Sequence, residues 1–122
     1  MVAIGTSDNN GLPFSLDRKY RRLLLYARIS TLAMLSYYEQ DSNQEGLPYQ
    51  DIKDALGLED GSLGPNLLWL KDQGYIRAAD TKVGDKTVVV YYIEEDGRKA
   101  YNEMKLWLVY ILHLNENKKG IL

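Results

Sequence analysis

Two short segments with helical periodicity, joined by a four-residue turn, constrain the fold of this chain more than any other feature. The first segment runs from Pro48 to Gly57. Proline near the start and glycine just past the end are typical of a short helix. After the turn at residues 58–61, a second helix is predicted up to Gly74. Its apolar residues, which lie on one helical face and are expected to point inward, are Leu63, Leu67 and Leu70.

The residues that follow predict a β-hairpin and then a long helix. Residues 75–81 and the β-branched and aromatic run at 87–93 read as two strands around a turn at residues 83–86. The acidic residues 94–96 suit the positive end of a last helix. That helix continues through Tyr101, Met104, Trp107, Leu108 and Ile111.

A first helix is predicted from Ser15, as its N-cap, to about Glu39. Its main apolar stripe recurs at three and four residues, but further large apolar residues lie off that stripe. Five basic residues also lie on this helix, either as a solvated flank or as contacts to a nucleic-acid backbone: Arg18, Lys19, Arg21, Arg22 and Arg28.

The order helix, helix, helix, hairpin, helix is a winged helix-turn-helix layout. Three stretches make this specific: PYQDIKDALGL at 48–58, GSLGPNLLWLKDQGYI at 61–76 and VYYIEEDGRKAY at 90–101. Together they resemble regulators of the MarR and ArsR types and their small archaeal relatives. The resemblance implies an α+β, mostly helical fold with three helices, a two-stranded wing, a long C-terminal helix and a dimer formed through the terminal helices.

The resemblance also implies sequence-specific binding of double-stranded DNA by a homodimeric transcriptional regulator. The recognition helix, about residues 61–73, would enter the major groove, and the wing at 82–86 would lie on the phosphate backbone. Asn66 would be the best base reader, because an asparagine side chain can form a bidentate pair with adenine. The other groove-facing residues carried over by position are Ser62, Gly64, Pro65 and Trp69.

Contacts to the DNA backbone are expected from the wing and from the start of the second helix. Lys82 and Lys86 flank the wing turn, and Arg77 lies at the base of the wing. Tyr49 and Gln50 lie at the N-terminus of the second helix, where a phosphate can be held. Alternatively, Lys82 and Lys86 contact no phosphate and only make the wing turn soluble.

The charge of this region supports a rival interpretation. The chain has a net charge of -2, and residues 45–99 contain eleven acidic against seven basic side chains. Most DNA-binding modules carry a basic surface. The alternative is therefore a winged-helix module that has lost DNA binding and contacts a protein partner through Leu68 and Trp69.

The two terminal helices carry more apolar surface than one small core requires. Residues 106–112 are apolar on every side, and a helix that is hydrophobic all round must be buried on more than one face. This predicts a homodimer, although a large intramolecular core would also use these side chains. The expected interface residues are Leu23, Leu24, Met34, Met104, Trp107, Leu108, Ile111 and Leu114.

Composition argues against enzymatic chemistry. The chain has no cysteine and a single histidine, His113, so thiol nucleophiles and zinc ribbons are excluded and no histidine cage for a metal is expected. We expect no enzyme activity, no cofactor, no membrane span and a cytoplasmic location. The expected organisation is a flexible tail at 1–14, a single winged-helix domain at 15–115 and a polar tail at 116–122.

Overall fold

The computed structural model describes residues 15–41 and 45–119, and it gives side-chain positions through His113 with the exception of Asp41. The expected N-terminal tail at 1–14 lies outside the described residues. The elements are a 3-10 helix (Arg18–Leu23), α1 (Tyr26–Asp41), β1 (Leu47–Pro48), α2 (Tyr49–Leu56), α3 (Asp60–Asp72), β2 (Ile76–Val83), β3 (Lys86–Ile93) and α4 (Glu95–Lys119). None of these helices is long and apolar enough to cross a membrane.

The prediction of one continuous first helix was wrong. Asp17, and not Ser15, caps the 3-10 helix, because its carboxylate accepts a hydrogen bond from the Lys19 amide at 3.1 Å. Leu24 then leaves the helical region with a ψ of 52°, so the helical ladder cannot run through it into α1. The chain forms two compact units on either side of this break, residues 15–24 with 100–119, and Leu25–Lys99.

α2 and α3 form as the sequence predicts, with different starting residues. Gly57 ends α2 in the left-handed conformation with a φ of 66°, and its amide donates to the Lys53 carbonyl at 2.9 Å. α3 begins at Asp60 and runs through Pro65, so proline neither starts this helix nor ends it. Gly64 makes a helical conformation before Pro65 easier, since it lacks the Cβ that would clash with the ring of the following proline.

The sheet has the strand order β1-β3-β2 and is antiparallel throughout. The wing turn is shorter than predicted, because Val83 already pairs with Lys86 and only Gly84 and Asp85 lie between the strands. Gly84 has a φ of 65°, which suits a two-residue hairpin turn. β1, which the sequence did not predict, pairs Leu47 with Tyr91.

The core of the unit Leu25–Lys99 is built from all of its helices and from the sheet. An ion pair joins α1 to the start of α4, where Arg98 donates from Nε and Nη2 to the two carboxylate oxygens of Glu39, both at 2.8 Å. This bond lowers the pKa of Glu39. α4 continues to Lys119, beyond the predicted domain end at residue 115. The buried core side chains of this unit are Ala27, Thr31, Leu32, Leu35, Ser36, Leu47, Ile52, Leu63, Leu67, Leu70, Ile76, Val90 and Ile93.

Pro65 inside α3 leads to a stability prediction. Proline has no N–H to donate to the Gly61 carbonyl, and its ring crowds that carbonyl. Because Pro65 is exposed, Pro65→Ala removes little packing and should raise the free energy of unfolding by about 1 to 2 kcal/mol, measured by urea denaturation. Pro48→Ala is the control, since Pro48 has a φ of -64° and precedes α2, and there we expect no gain. A less stable Pro65→Ala protein would contradict the prediction.

Candidate nucleic-acid interface

A hydrogen-bonded cluster joins the N-terminal ends of α2 and α3. The Tyr49 hydroxyl donates to Asp60 Oδ1 at 2.7 Å, and Lys53 Nζ lies 3.2 Å from the same oxygen. The hydrogen bond from Tyr49 lowers the pKa of the Asp60 carboxyl, with Lys53 adding to the effect, and it raises the pKa of Tyr49 to about 12. The negative carboxylate of Asp60 at the start of α3 suits the helix dipole.

The two residues expected to meet a phosphate at the start of α2 are therefore bonded to carboxylates. Tyr49 is held by Asp60, and Gln50 Nε2 donates to Asp54 Oδ1 at 2.8 Å. Gln50 is exposed and Tyr49 is half-buried. A phosphate at this helix end would have to displace these bonds or use the backbone amides of α2.

The outer face of α3 carries several of the predicted groove residues. Leu63, Leu67 and Leu70 are buried, which confirms that they point inward. Ser62 and Pro65 are exposed, Gly64 is half-buried, and Leu68 is 53% exposed. This face is mostly uncharged, so its contribution to DNA affinity would come from shape and hydrogen bonding.

Asn66 and Trp69, which the sequence places in the groove, both contact Arg28 of α1. Arg28 Nε donates to Asn66 Oδ1 at 2.9 Å, and its guanidinium carbon lies 3.8 Å from the centroid of the Trp69 ring. Asn66 Nδ2 donates in turn to the Ser62 carbonyl at 2.7 Å. The Trp69 ring also lies 6.2 Å from that of Tyr75. Sequence reasoning treated Arg28 only as part of a basic flank, because nothing along the chain links it to residues 38 and 41 positions away.

The wing carries its two lysines near the tip. Lys82 pairs with Thr87 and Lys86 pairs with Val83, and both lysines are exposed. Neither makes an ion pair or hydrogen bond with another described side chain. Because side chains alternate along a strand, Lys82 and Lys86 lie on opposite faces of the two-stranded ribbon.

Arg77 at the base of the wing is held by its neighbours. Its guanidinium carbon lies 4.0 Å from the centroid of the Tyr92 ring, and its Nε lies 3.4 Å from Glu94 Oε1. The side chain is still about half exposed. A contact with phosphate would compete with Glu94.

The residues predicted for a dimer interface fall into three groups. Leu23 and Met104 are buried within the chain, so neither offers surface to a second copy. Met34, Trp107 and Ile111 are half-buried. Leu24 and Leu108 are exposed, and the side chain of Leu114 lies outside the described residues. α4 also exposes Leu106, Val109 and Leu112, which the prediction did not name.

The described residues contain no group of three or more His, Asp or Glu side chains that could hold a metal ion. The site is thus a surface of hydrogen-bonding groups and a few cations, built from α2, α3 and the wing.

Comparisons with known proteins agree with this fold. The family model for a winged helix DNA-binding domain matches residues 27–112. The structure is also similar to a solved one, described as a transcriptional regulator of the MarR family from Silicibacter pomeroyi, with 21% sequence identity and a TM-score of 0.51. That match covers 84% of this chain and 80% of the other. No curated protein matches this chain. The predicted fold, a mostly helical winged helix with a small antiparallel sheet and a long last helix, is confirmed.

Proposed function

We propose that this chain, which belongs to the winged helix DNA-binding domain family, binds double-stranded DNA as a homodimeric transcriptional regulator. In this proposal α3 enters the major groove and the β2–β3 turn lies on the phosphate backbone. The observation that carries it is the family match across α1 to α4, together with two exposed wing lysines whose side chains form no hydrogen bond or ion pair with the described residues. The likeness to a MarR-family regulator supports the regulatory role.

α3 and the wing carry different side chains, so we expect them to make different contacts with DNA. Phosphate contacts supply salt-dependent affinity and set the register, whereas base contacts supply specificity. Lys82 and Lys86 are suited to the first role, and Ser62 with Asn66 to the second. Because the face of α3 itself is mostly uncharged, we expect a modest salt dependence that comes mainly from the wing.

Substitution of the wing lysines tests whether the wing supplies the phosphate contacts. Because the proposed dimer carries each lysine twice, Lys82→Ala and Lys86→Ala should each reduce the magnitude of the slope of log affinity against log salt by about 2, and the double variant by about 4, with at least tenfold weaker binding. Fluorescence anisotropy of a labelled duplex between about 50 and 200 mM salt measures this. Lys99→Ala is the matched control, because Lys99 is an exposed lysine of α4 that the whole length of β3 separates from the wing turn. An unchanged slope in the double variant would contradict the wing contact.

A homodimer is proposed through the exposed face of α4. Among the side chains that the structure describes here, Lys105 is the charged residue that lies between the apolar neighbours of this face. Leu108 and Leu112, one helical turn apart, are 50% and 59% exposed, and Val109 continues the same surface. Such a row of large apolar side chains is typical of an interaction surface. A twofold arrangement would hold two copies of α3 at a fixed spacing.

The experiment that tests the function is selection of binding sites from random duplexes, followed by anisotropy with the selected duplex. We expect a recurring sequence with two half-sites, bound more tightly than a scrambled duplex and more weakly as salt rises. A folded protein that binds no duplex, even at about 50 mM salt, would refute the proposal.

Exposed Leu68 favours a second candidate, a module that binds a protein partner. A half-exposed leucine on the outer face of α3 is an unusual neighbour for DNA and an ordinary one for a protein surface. Leu68→Lys separates the two candidates. It should strengthen or preserve binding of DNA if α3 lies in a groove, and it should abolish binding of a partner that uses this leucine.

A further inference from the structure

The side-chain amide of Asn66 is held in one orientation by two partners of opposite kind. Arg28 Nε can only donate, and it donates to Oδ1. The Ser62 carbonyl can only accept, and it accepts from Nδ2. Rotation of the amide by 180° would place donor against donor and acceptor against acceptor, so both hydrogen bonds would be lost.

Each amide atom of Asn66 retains one unused hydrogen-bonding position. The oxygen has two lone pairs and the nitrogen carries two N–H groups, and each atom has one partner among the described residues. One acceptor and one donor therefore remain. These are the groups that adenine requires in the major groove, where its N6 amino group donates and its N7 accepts.

Arg28 is itself held by the ring of Trp69. Its guanidinium carbon lies 3.8 Å from the ring centroid, close enough for a favourable cation–π contact, and its side chain is half-buried. Trp69 is on α3 one turn beyond Asn66, so the arginine of α1 contacts two successive turns of the recognition helix. The contact with the Trp69 ring limits the conformations of the Arg28 side chain, and Arg28 in turn limits the orientation of the Asn66 amide.

We propose that Arg28 is a positioning residue that determines base specificity from outside the recognition helix, by orienting Asn66 to read adenine. This rests on the proposed DNA-binding function. Arg28 needs no base contact of its own for this role. Without it, only the Ser62 carbonyl holds the amide of Asn66, so the reversed orientation costs one hydrogen bond instead of two and the ordered donor and acceptor pair is weakened.

The first measurement needs no DNA. In the two-dimensional amide spectrum of ¹⁵N-labelled protein, the Asn66 side-chain signals are those absent from Asn66→Ala. In the wild-type protein we expect two separate N–H signals, one slowed in hydrogen exchange by the bond to Ser62. Arg28→Met keeps an unbranched side chain beside Trp69 and removes the donor, and it should move both signals towards those of an exposed asparagine. Unchanged signals would overturn the proposal.

The second measurement uses the duplex selected by the wild-type protein, with each adenine replaced in turn by 7-deazaadenine, which lacks N7. We expect one position in each half-site where this weakens wild-type binding about tenfold. In Asn66→Ala and Arg28→Met the same replacement should change affinity less than about twofold. Arg18→Met, which removes one exposed positive charge elsewhere, should keep the tenfold penalty. If Arg28→Met does not fold, Arg28→Lys, which keeps the charge but not the planar fork, should show an intermediate penalty.

Two results would overturn the proposal while leaving the proposed function intact. One is an Arg28→Met protein that keeps the tenfold adenine penalty that Asn66→Ala has lost. The other is a wild-type protein that binds a specific sequence with no dependence on any adenine N7. A wild-type protein that binds no duplex would instead contradict the proposed function, and the specificity role of Arg28 with it.

Discussion

Replacing Gly97 with alanine is expected to lower the free energy of unfolding by about 3 kcal/mol. Gly97 is buried in the first turn of α4, and a Cβ built on it would overlap the Tyr75 carbonyl oxygen and lie 3.0 Å from Ile93 Cγ1. The contact is with backbone, so no flexible side chain can move away. The same carbonyl accepts a hydrogen bond from the Glu94 amide at 2.9 Å. If the Tyr75 backbone moved away to make room for the Cβ, it would strain the junction between β3 and α4.

Urea denaturation of Gly97→Ala measures this loss. Gly61→Ala is the matched control, because nothing lies within 4 Å of a Cβ at Gly61 and its φ is not positive. We expect the control to remain within about 0.5 kcal/mol of the wild-type protein. Equal stability of the two variants would show that the close approach of α4 to Tyr75 is absent in solution.

The second large effect is expected from Leu112→Glu, which should convert the dimer to a monomer and weaken DNA binding by about 100-fold or more. A carboxylate on the exposed face of α4 would have to lose its hydration in an apolar interface. Leu112 is 59% exposed in the single chain, so the change should leave the fold of each copy intact. Loss of the second α3 removes the gain from binding two linked half-sites.

Light scattering with size-exclusion chromatography measures the mass, and anisotropy measures the affinity. Lys99→Glu is the control, since it places a carboxylate at an exposed position of α4 more than three helical turns before Leu112 and on a different side of the helix from Leu108 and Leu112. It should remain a dimer with wild-type affinity. A dimeric Leu112→Glu protein would refute the α4 interface, and a monomeric wild-type protein that still binds its site would refute the dimer itself.

Elements with strong local signals were predicted well. α2 lies within a residue of its prediction, because Gly57 provides the left-handed C-cap that its position requires. The inward face of α3 and the two wing strands were also predicted correctly, because a hydrophobic period of 3.6 residues indicates the buried face of a helix and a period of 2 that of a strand. α3 also runs through Pro65, because one missing hydrogen bond does not outweigh the burial of Leu63 on the preceding turn.

Features that depend on distant partners were missed. The two-residue β1 is too short for any periodicity and is defined by its pairing with β3. The break at Leu24 lies inside a run of leucines whose composition favours a continuous helix. Likewise, Leu23 and Met104 resemble interface residues in the sequence, although both are buried in the chain.

The sequence by itself determined the order of α2, α3, the wing and α4, the residue types on α3 and hence the expected family. Local propensity and hydrophobic periodicity are properties of neighbouring residues, so they can be read along the chain. The tertiary structure alone decided how these side chains are used. It brought Arg28 to Asn66 and Trp69, and Tyr49 to Asp60, because hydrogen bonds between helices depend on packing that no local pattern records.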